Sequence, residues 1–239
     1  MTPLDAPGWG AAPDSRRAIG FPRVHYRTVD STNERARLLA MAGAPDGTLV
    51  TAEEQRAGRG RQGRSWSAPR GRALLCSLVV REPPRFLPLA AGVAVASVAG
   101  GEAGLKWPND VLMDGRKVAG ILVEGRPQER WAVLGIGVNV AVSTSDLPSE
   151  VRARAATLGL SIEDIEPWLA RLLAALRHWL AAGEAEVLDA VRARDALLGR
   201  PVRWAGGGGT GAGIDGDGRL VVATAEGRVA LDSGEVHLG

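Results

Sequence analysis

The sequence predicts an α+β protein: a mixed, largely antiparallel sheet flanked by helices, followed by a small β module. Three observations predict it. Short strand-like runs recur between Val24 and Val140 and are broken by two helical stretches. Two of those runs are joined by Asp114-Gly115, a type I′ hairpin signal that implies antiparallel pairing. At Gly199 the composition changes to β-like pieces separated by glycine-rich turns.

Taken in order, residues 1–20 are rich in Gly, Pro and Ala and read as a flexible leader. Val24–Val29 alternates as a strand does. Ser31 and Glu34 have capping-box spacing, so a helix starts there, buries Ala36, Leu39 and Ala40, and stops at Gly43. Thr48–Ala52 is a strand. Residues 55–72 carry glycines and arginines without a hydrophobic period, which predicts a loop. Ala73–Arg81 is a strand and residues 86–100 suit a buried helix. Leu105–Trp107 and Val111–Met113 are short strands around Pro108; Val118–Glu124 and Trp131–Val140 follow as partners. Helices are expected over Ile162–Ala182 and Glu184–Leu198, the first with Trp168, Leu172, Ala175 and Trp179 on one face. Strands at Pro201–Ala205, Thr210–Asp215, Arg219–Thr224 and Arg228–Leu231 suggest a small SH3-like β-barrel, with Gly206–Gly209 at a hairpin tip. The expected division is a leader at 1–20, a main domain at 21–198 and a C-terminal β domain at 199–239.

The 239 residues carry 29 basic and 27 acidic side chains, a formal charge of +2, which argues against a dedicated nucleic-acid binder. Six arginines and no acid fall between Arg56 and Arg72, so the basic charge is local and points to a local anionic ligand. Cys76 is the only cysteine, which excludes an internal disulfide, and its apolar neighbours predict a buried thiol. No apolar run is long enough to span a bilayer and no signal-peptide pattern is present; the expectation is a cytoplasmic protein with no membrane partner.

Four segments carry chemistry. In Gly58-Arg59-Gly60-Arg61-Gln62-Gly63-Arg64-Ser65-Trp66, glycines admit an anion to backbone N–H groups, arginines suit phosphate oxygens, and Trp66 offers a stacking face. A nucleotide, a nucleic acid or plain solvent would each fit that composition. The order is neither a P-loop nor a dinucleotide fingerprint. Lys106-Trp107-Pro108-Asn109-Asp110 puts two oxygen-bearing side chains at a turn, as a seat for hydrated Mg²⁺ or as an Asx turn. Lys117 opens the buried run to Glu124. Gly135-Ile136-Gly137-Val138-Asn139 strips side chains from one face of a strand, leaving room for a ligand.

Asp30-Ser31-Thr32-Asn33, the Gln55–Trp66 loop, Lys106–Asp110, Lys117–Glu124 and Gly135–Asn139 together resemble the biotin protein ligases in order and spacing. The resemblance is close over residues 24–140 and looser in the C-terminal module. It implies a catalytic domain like that of class II aminoacyl-tRNA synthetases and biotin/lipoyl ligases. It also implies formation of biotinyl-5′-AMP from biotin and ATP, then transfer of biotin to a lysine of a biotin carboxyl carrier domain. By the same resemblance, Ser31, Thr32, Asn33 and Gln55 hold biotin, with Gly120, Gly135 and Gly137 as the floor of its slot. Gly58, Arg59, Gly60 and Arg61 close over biotin and the α-phosphate. Arg61, Arg64, Trp66, Lys106, Asn109 and Asn139 serve ATP, with Trp66 stacking on adenine. Lys117 meets the biotin carboxylate; Arg59, Lys117 and Asp110 are the catalytic candidates, Asp110 for the carrier lysine. Mg²⁺ is expected through the phosphates, with Asn109 and Asp110 as candidate ligands.

The same resemblance implies a monofunctional enzyme, monomer or homodimer, without nucleic acid as partner. The mixed anhydride is water-sensitive, so residues 56–68 are expected to order over it and to be mobile without ligand. One departure from the family is that His237-Leu238 is followed by Gly239, where some relatives carry a basic residue that reaches the nucleotide. A lipoate-type ligase and an RNA-binding module are the rival readings.

Overall fold

The computed structural model describes residues 19–238. Its centre is a seven-stranded sheet of order β1-β2-β3-β7-β6-β5-β4. β1 (Arg23–Tyr26) and β2 (Leu49–Ala52) pair in parallel and are connected through α1 (Thr32–Met41). All other neighbours are antiparallel: β3 (Leu74–Arg81), β7 (Trp131–Val138), β6 (Arg116–Arg126), β5 (Asp110–Met113) and β4 (Gly104–Lys106). The Asp114-Gly115 turn joins β5 to β6 with positive φ at both residues, as a type I′ turn requires.

One face of the sheet is covered by α2 (Leu87–Ala99), α4 (Ile165–Trp179) and α5 (Glu184–Arg192). α2 is buried along most of its length, and its Ala/Gly composition lets its neighbours approach closely. Trp168 and Leu172 of α4 are buried in the same cluster, and Ala175 and Trp179 pack at its margin. The opposite face holds a smaller cluster in which Ala36 and Ala40 of α1 meet Val50, Val79, Trp131 and Val133.

Several boundaries differ from expectation. Residues 1–18 of the expected leader lie outside the described residues, but Ile19 is a core residue and the Gly20 N–H donates to Gly47 O. The capping box at Ser31 is not formed. Asp30 Oδ1 takes the Ser31 N–H, and Glu34 turns to two arginines instead. Residues 162–164 form a 3-10 turn with a true capping box between Ser161 and Asp164. A short helix, α3 (Ser149–Arg152), appears where none was expected. α5 ends at Arg192 because the following residues satisfy the edge of the sheet: Leu105 N–H donates to Arg194 O, and Ala196 N–H to Leu105 O.

The C-terminal domain is a five-stranded antiparallel sheet, order β11-β10-β9-β8-β12. Its strands are β8 (Pro201–Trp204), β9 (Gly207–Ile214), β10 (Leu220–Thr224), β11 (Gly227–Leu231) and β12 (His237–Leu238). Gly207–Gly209 belong to β9 rather than to a hairpin tip. A Cβ at Gly209 would lie 2.3 Å from Ala223 O, so the strand needs glycine there for close approach. Val202, Ile214, Leu220, Val222 and Val236 join the same apolar cluster as Phe86 and Leu87, and Trp107 Nε1–H donates to Gly218 O at 3.0 Å.

Candidate functional site

The loop between β2 and β3 has internal order. Gly60 N–H donates to Arg64 O and Trp66 N–H to Gly58 O, making a narrow pin whose tip is a 3-10 turn at Arg61–Gly63. Gln62 and Gly63 adopt positive φ, which reverses the chain. Gly58 does not line the cleft. A Cβ there would stand 2.3 Å from Trp66 O, so its role is the close pairing of the pin's arms.

Beneath the pin lies a cleft of about 110 Å³ that opens to solvent. Ser31, Thr32, Asn33 and Gln55 stand at one part of it; Arg59, Gly60, Arg61, Arg64 and Trp66 come from the loop; Lys106, Asn109, Asp110, Lys117, Gly120, Gly135 and Gly137 come from the sheet. Arg59 and Lys117, far apart in sequence, therefore share one cavity.

At the polar end, Gln55 Oε1 accepts from Thr32 N–H at 2.7 Å and from Thr32 Oγ1–H at 2.9 Å. Buried Ser77 lies within hydrogen-bond distance of Thr32 Oγ1 and Asn33 Oδ1. Asn33 Nδ2–H donates to Glu124 Oε2 at 2.7 Å. Asn33 is thus a strut tying α1 to β6. The glycines of the sheet serve side chains as well as any ligand. A Cβ at Gly135 would lie 2.1 Å from Asn33 Oδ1, and one at Gly137 would lie 2.5 Å from the Trp66 ring. Trp66 therefore lies against Gly137 and Gly120, and all three glycines line the cleft. The Trp66 Nε1–H is buried without a hydrogen-bond partner among the described residues, a donor of the kind a ligand satisfies.

Asp110 lies between two ammonium groups, with Oδ1 2.6 Å from Lys117 Nζ and Oδ2 3.4 Å from Lys106 Nζ. Burial pulls the Lys106 ammonium below the usual lysine range, opposed by Asp110 and reinforced by Lys117 and Arg64. Burial likewise lowers Arg61, whose guanidinium still stays charged. Arg61 Nη1–H donates to Asn109 Oδ1, and the Asn109 amide donates to Ile121 O. Arg64 pairs with Glu235, and Gly234, Glu235 and Val236 complete the wall from the C-terminal domain.

Asn109 and Asp110 both line the cleft, and their oxygens face Arg61, Lys117 and Lys106. Asn139 does not line the cleft. It is buried with Nδ2–H on Ala156 O and its backbone between Val118 and Leu158, so it ties β7 to the 155–158 segment. Cys76 is buried, and its thiol is pushed up to about 12 by burial.

Sequence reasoning missed Ser77, Glu34, Glu124 and Glu235. Ser77 is the one hydroxyl in an apolar strand, a signal that was legible; Glu235 carried none, since it reaches the cleft only through interdomain packing. No helix among the described residues is long and apolar enough to cross a membrane.

Residues 24–140 match the family model "Biotin/lipoate A/B protein ligase family", and residues 197–239 match "Biotin protein ligase C terminal domain". A biotin–[acetyl-CoA-carboxylase] ligase of Mycobacterium tuberculosis is 37% identical over 235 residues, covering 87% of this chain and 86% of that protein. The bifunctional ligase/repressor of Bacillus spizizenii is 37% identical over 152 residues, 59% of this chain; the chain matches about half (47%) of that relative's length. A biotin protein ligase from Aquifex aeolicus, solved in complex with biotin and ATP, superposes with a TM-score of 0.78 at 29% identity, covering 91% of this chain and 99% of that one.

Proposed function

The chain belongs to the biotin protein ligase family, and from that premise we propose that it makes biotinyl-5′-AMP from biotin and ATP and then biotinylates one lysine of a carboxyl carrier domain. The observation that carries this reading is the cleft in which Arg59, Arg61, Arg64, Lys106 and Lys117 meet the Thr32–Gln55 polar pair.

Two anions that repel each other must react, the biotin carboxylate and the ATP α-phosphate. Convergent cations offset that repulsion and stabilise charge developing at phosphorus. In this reading the Ser31–Asn33 and Gln55 end takes the biotin head group. Lys117 orients the carboxylate, Arg61, Arg64 and Lys106 meet the phosphates, and the Trp66 indole faces the base. A carboxylate oxygen attacks the α-phosphorus and pyrophosphate leaves. The carrier amine then attacks the acyl carbon and AMP leaves. Asp110, bracketed by Lys106 and Lys117, is placed to orient that amine or receive its proton. Mg²⁺ would arrive with the triphosphate, with Asn109 and Asp110 as the candidate side chains beside it. A nucleotide-rich compartment such as the cytoplasm fits this chemistry.

The test is incubation with biotin, MgATP and a carrier domain, read as a mass shift on one lysine, with lipoate as the competing acid. Labelling by lipoate alone, or none with either, defeats the reading. Asp110→Ala separates the two half-reactions: retained pyrophosphate release with transfer reduced about 100-fold is expected of a group acting on the amine. Equal loss of both would assign Asp110 to holding Lys106 and Lys117.

A further inference from the structure

Arg59 docks the loop onto two carboxylates that the chemistry itself does not require. Its Nη2 lies 2.6 Å from Glu34 Oε2 and its Nη1 3.2 Å from Glu124 Oε1. Both acceptors are themselves fixed. Glu34 is gripped by Arg37 through both oxygens, and Glu124 accepts from Asn33, which is tied to Ser77. They stand on α1 and β6, elements held by the sheet: α1 through buried Ala36 and Ala40, β6 through pairing on both sides.

The loop's other arm is held separately, by Arg64 on Glu235 of the C-terminal domain. Between those two ties lie Gly60, Arg61 and Gly63, and glycines give a chain no positional preference of their own. Where Gly60 and Arg61 sit over the cleft is therefore set by Arg59 on one arm together with the Gly60–Arg64 backbone bond and the Arg61–Asn109 hydrogen bond.

Resting on the reading of this cleft as the place where biotinyl-5′-AMP is made, we propose that Glu34 and Glu124 are positioning residues. They clamp the glycine–arginine loop over the cleft through Arg59, and so retain the water-sensitive mixed anhydride until the acceptor amine arrives. Neutralising them removes both charges paired with Arg59, weakens its hold and lets that arm of the pin lift. The intermediate then escapes to water or to any amine, while the groups that form it remain in place.

The experiment uses the full chain as wild type, Glu34→Gln, Glu124→Gln and the double variant, each also in an Arg59→Ala background. The first readout needs no substrate. Amide exchange over residues 56–68 is expected to quicken about fivefold in the double variant, the size expected for partly exposed ion pairs. With Arg59 already alanine, the two glutamine substitutions should add nothing. The second readout supplies biotin, MgATP and hydroxylamine without acceptor. Biotin hydroxamate formed per pyrophosphate should rise about fivefold in the double variant, with KM moving more than kcat.

Unchanged loop exchange in the double variant overturns the clamp, as does an equal increment when Arg59 is absent. If Glu34→Gln fails to fold, Glu124→Gln alone, isosteric and still able to accept from Asn33, carries the same test. A wild type that releases no pyrophosphate would remove the ligase reading while leaving the exchange result to judge the clamp.

Discussion

At the scale of the residue, the tightest constraints fall on atoms that are missing. Gly135 leaves room for the Asn33 amide, and Gly137 for the Trp66 ring. Gly135→Ala is expected to cost about 1–3 kcal/mol through forced repacking, measured as a lower urea midpoint. It should raise KM for biotin, because Asn33 can no longer hold its contacts with Ser77 and Glu124. An unchanged midpoint would mean that Asn33 swings aside freely. Cys76 tests burial directly. With its thiol pushed up to about 12 and the side chain enclosed, native protein should react with a disulfide reagent only as fast as it unfolds. Prompt stoichiometric reaction would place the thiol at an accessible wall.

At the scale of the element, α1 supports the cleft at its N-terminal end, through Thr32 and Asn33, and the loop through Glu34. The Glu34 carboxyl is lowered from 4.5 to about 2, first by its hydrogen bond with Arg37 and also by Arg59, against the upward push of burial. A carboxyl depressed in the folded state stabilises the fold above its unfolded pKa, and that contribution is lost as pH falls through the folded value. The difference in denaturation midpoint between wild type and Glu34→Gln should therefore be full at neutral pH. It should shrink as pH drops from 4.5 toward about 2. A difference that persists through that window would assign the effect to packing rather than charge.

At the scale of the molecule, the two domains share one apolar cluster, and Trp107 bridges them through Gly218. Unfolding followed by far-ultraviolet dichroism and by the resolved ¹⁹F resonance of Trp204 in fluorotryptophan-labelled protein, Trp204 lying in the C-terminal sheet, should give one coincident transition. Two separated transitions would show that the shared cluster does not couple the domains. Trp107→Phe should lower stability by about 1 kcal/mol, the value of a lost hydrogen bond that leaves Gly218 O without its donor.

What the sequence determined by itself was the set of elements and the ingredients of the site. Period-2 and helical patterning located nearly every strand and helix, because burying one face leaves a repeat in the chain. The glycine–arginine loop, Lys106–Asp110 and Lys117 pointed to a site through their order and spacing together, since each segment alone also fits a solvated loop or an Asx turn. Only the tertiary structure decided which of these residues line the cleft and which do not. Asn139 and Gly58 look like site residues in the chain, yet they serve segment ties and close backbone approach. Glu34, Glu124 and Glu235 look like solvated charges, yet they fix the loop. A local pattern records which way a side chain faces; its partner depends on contacts between residues tens to hundreds of positions apart, and those exist only once the sheet and the C-terminal domain have packed.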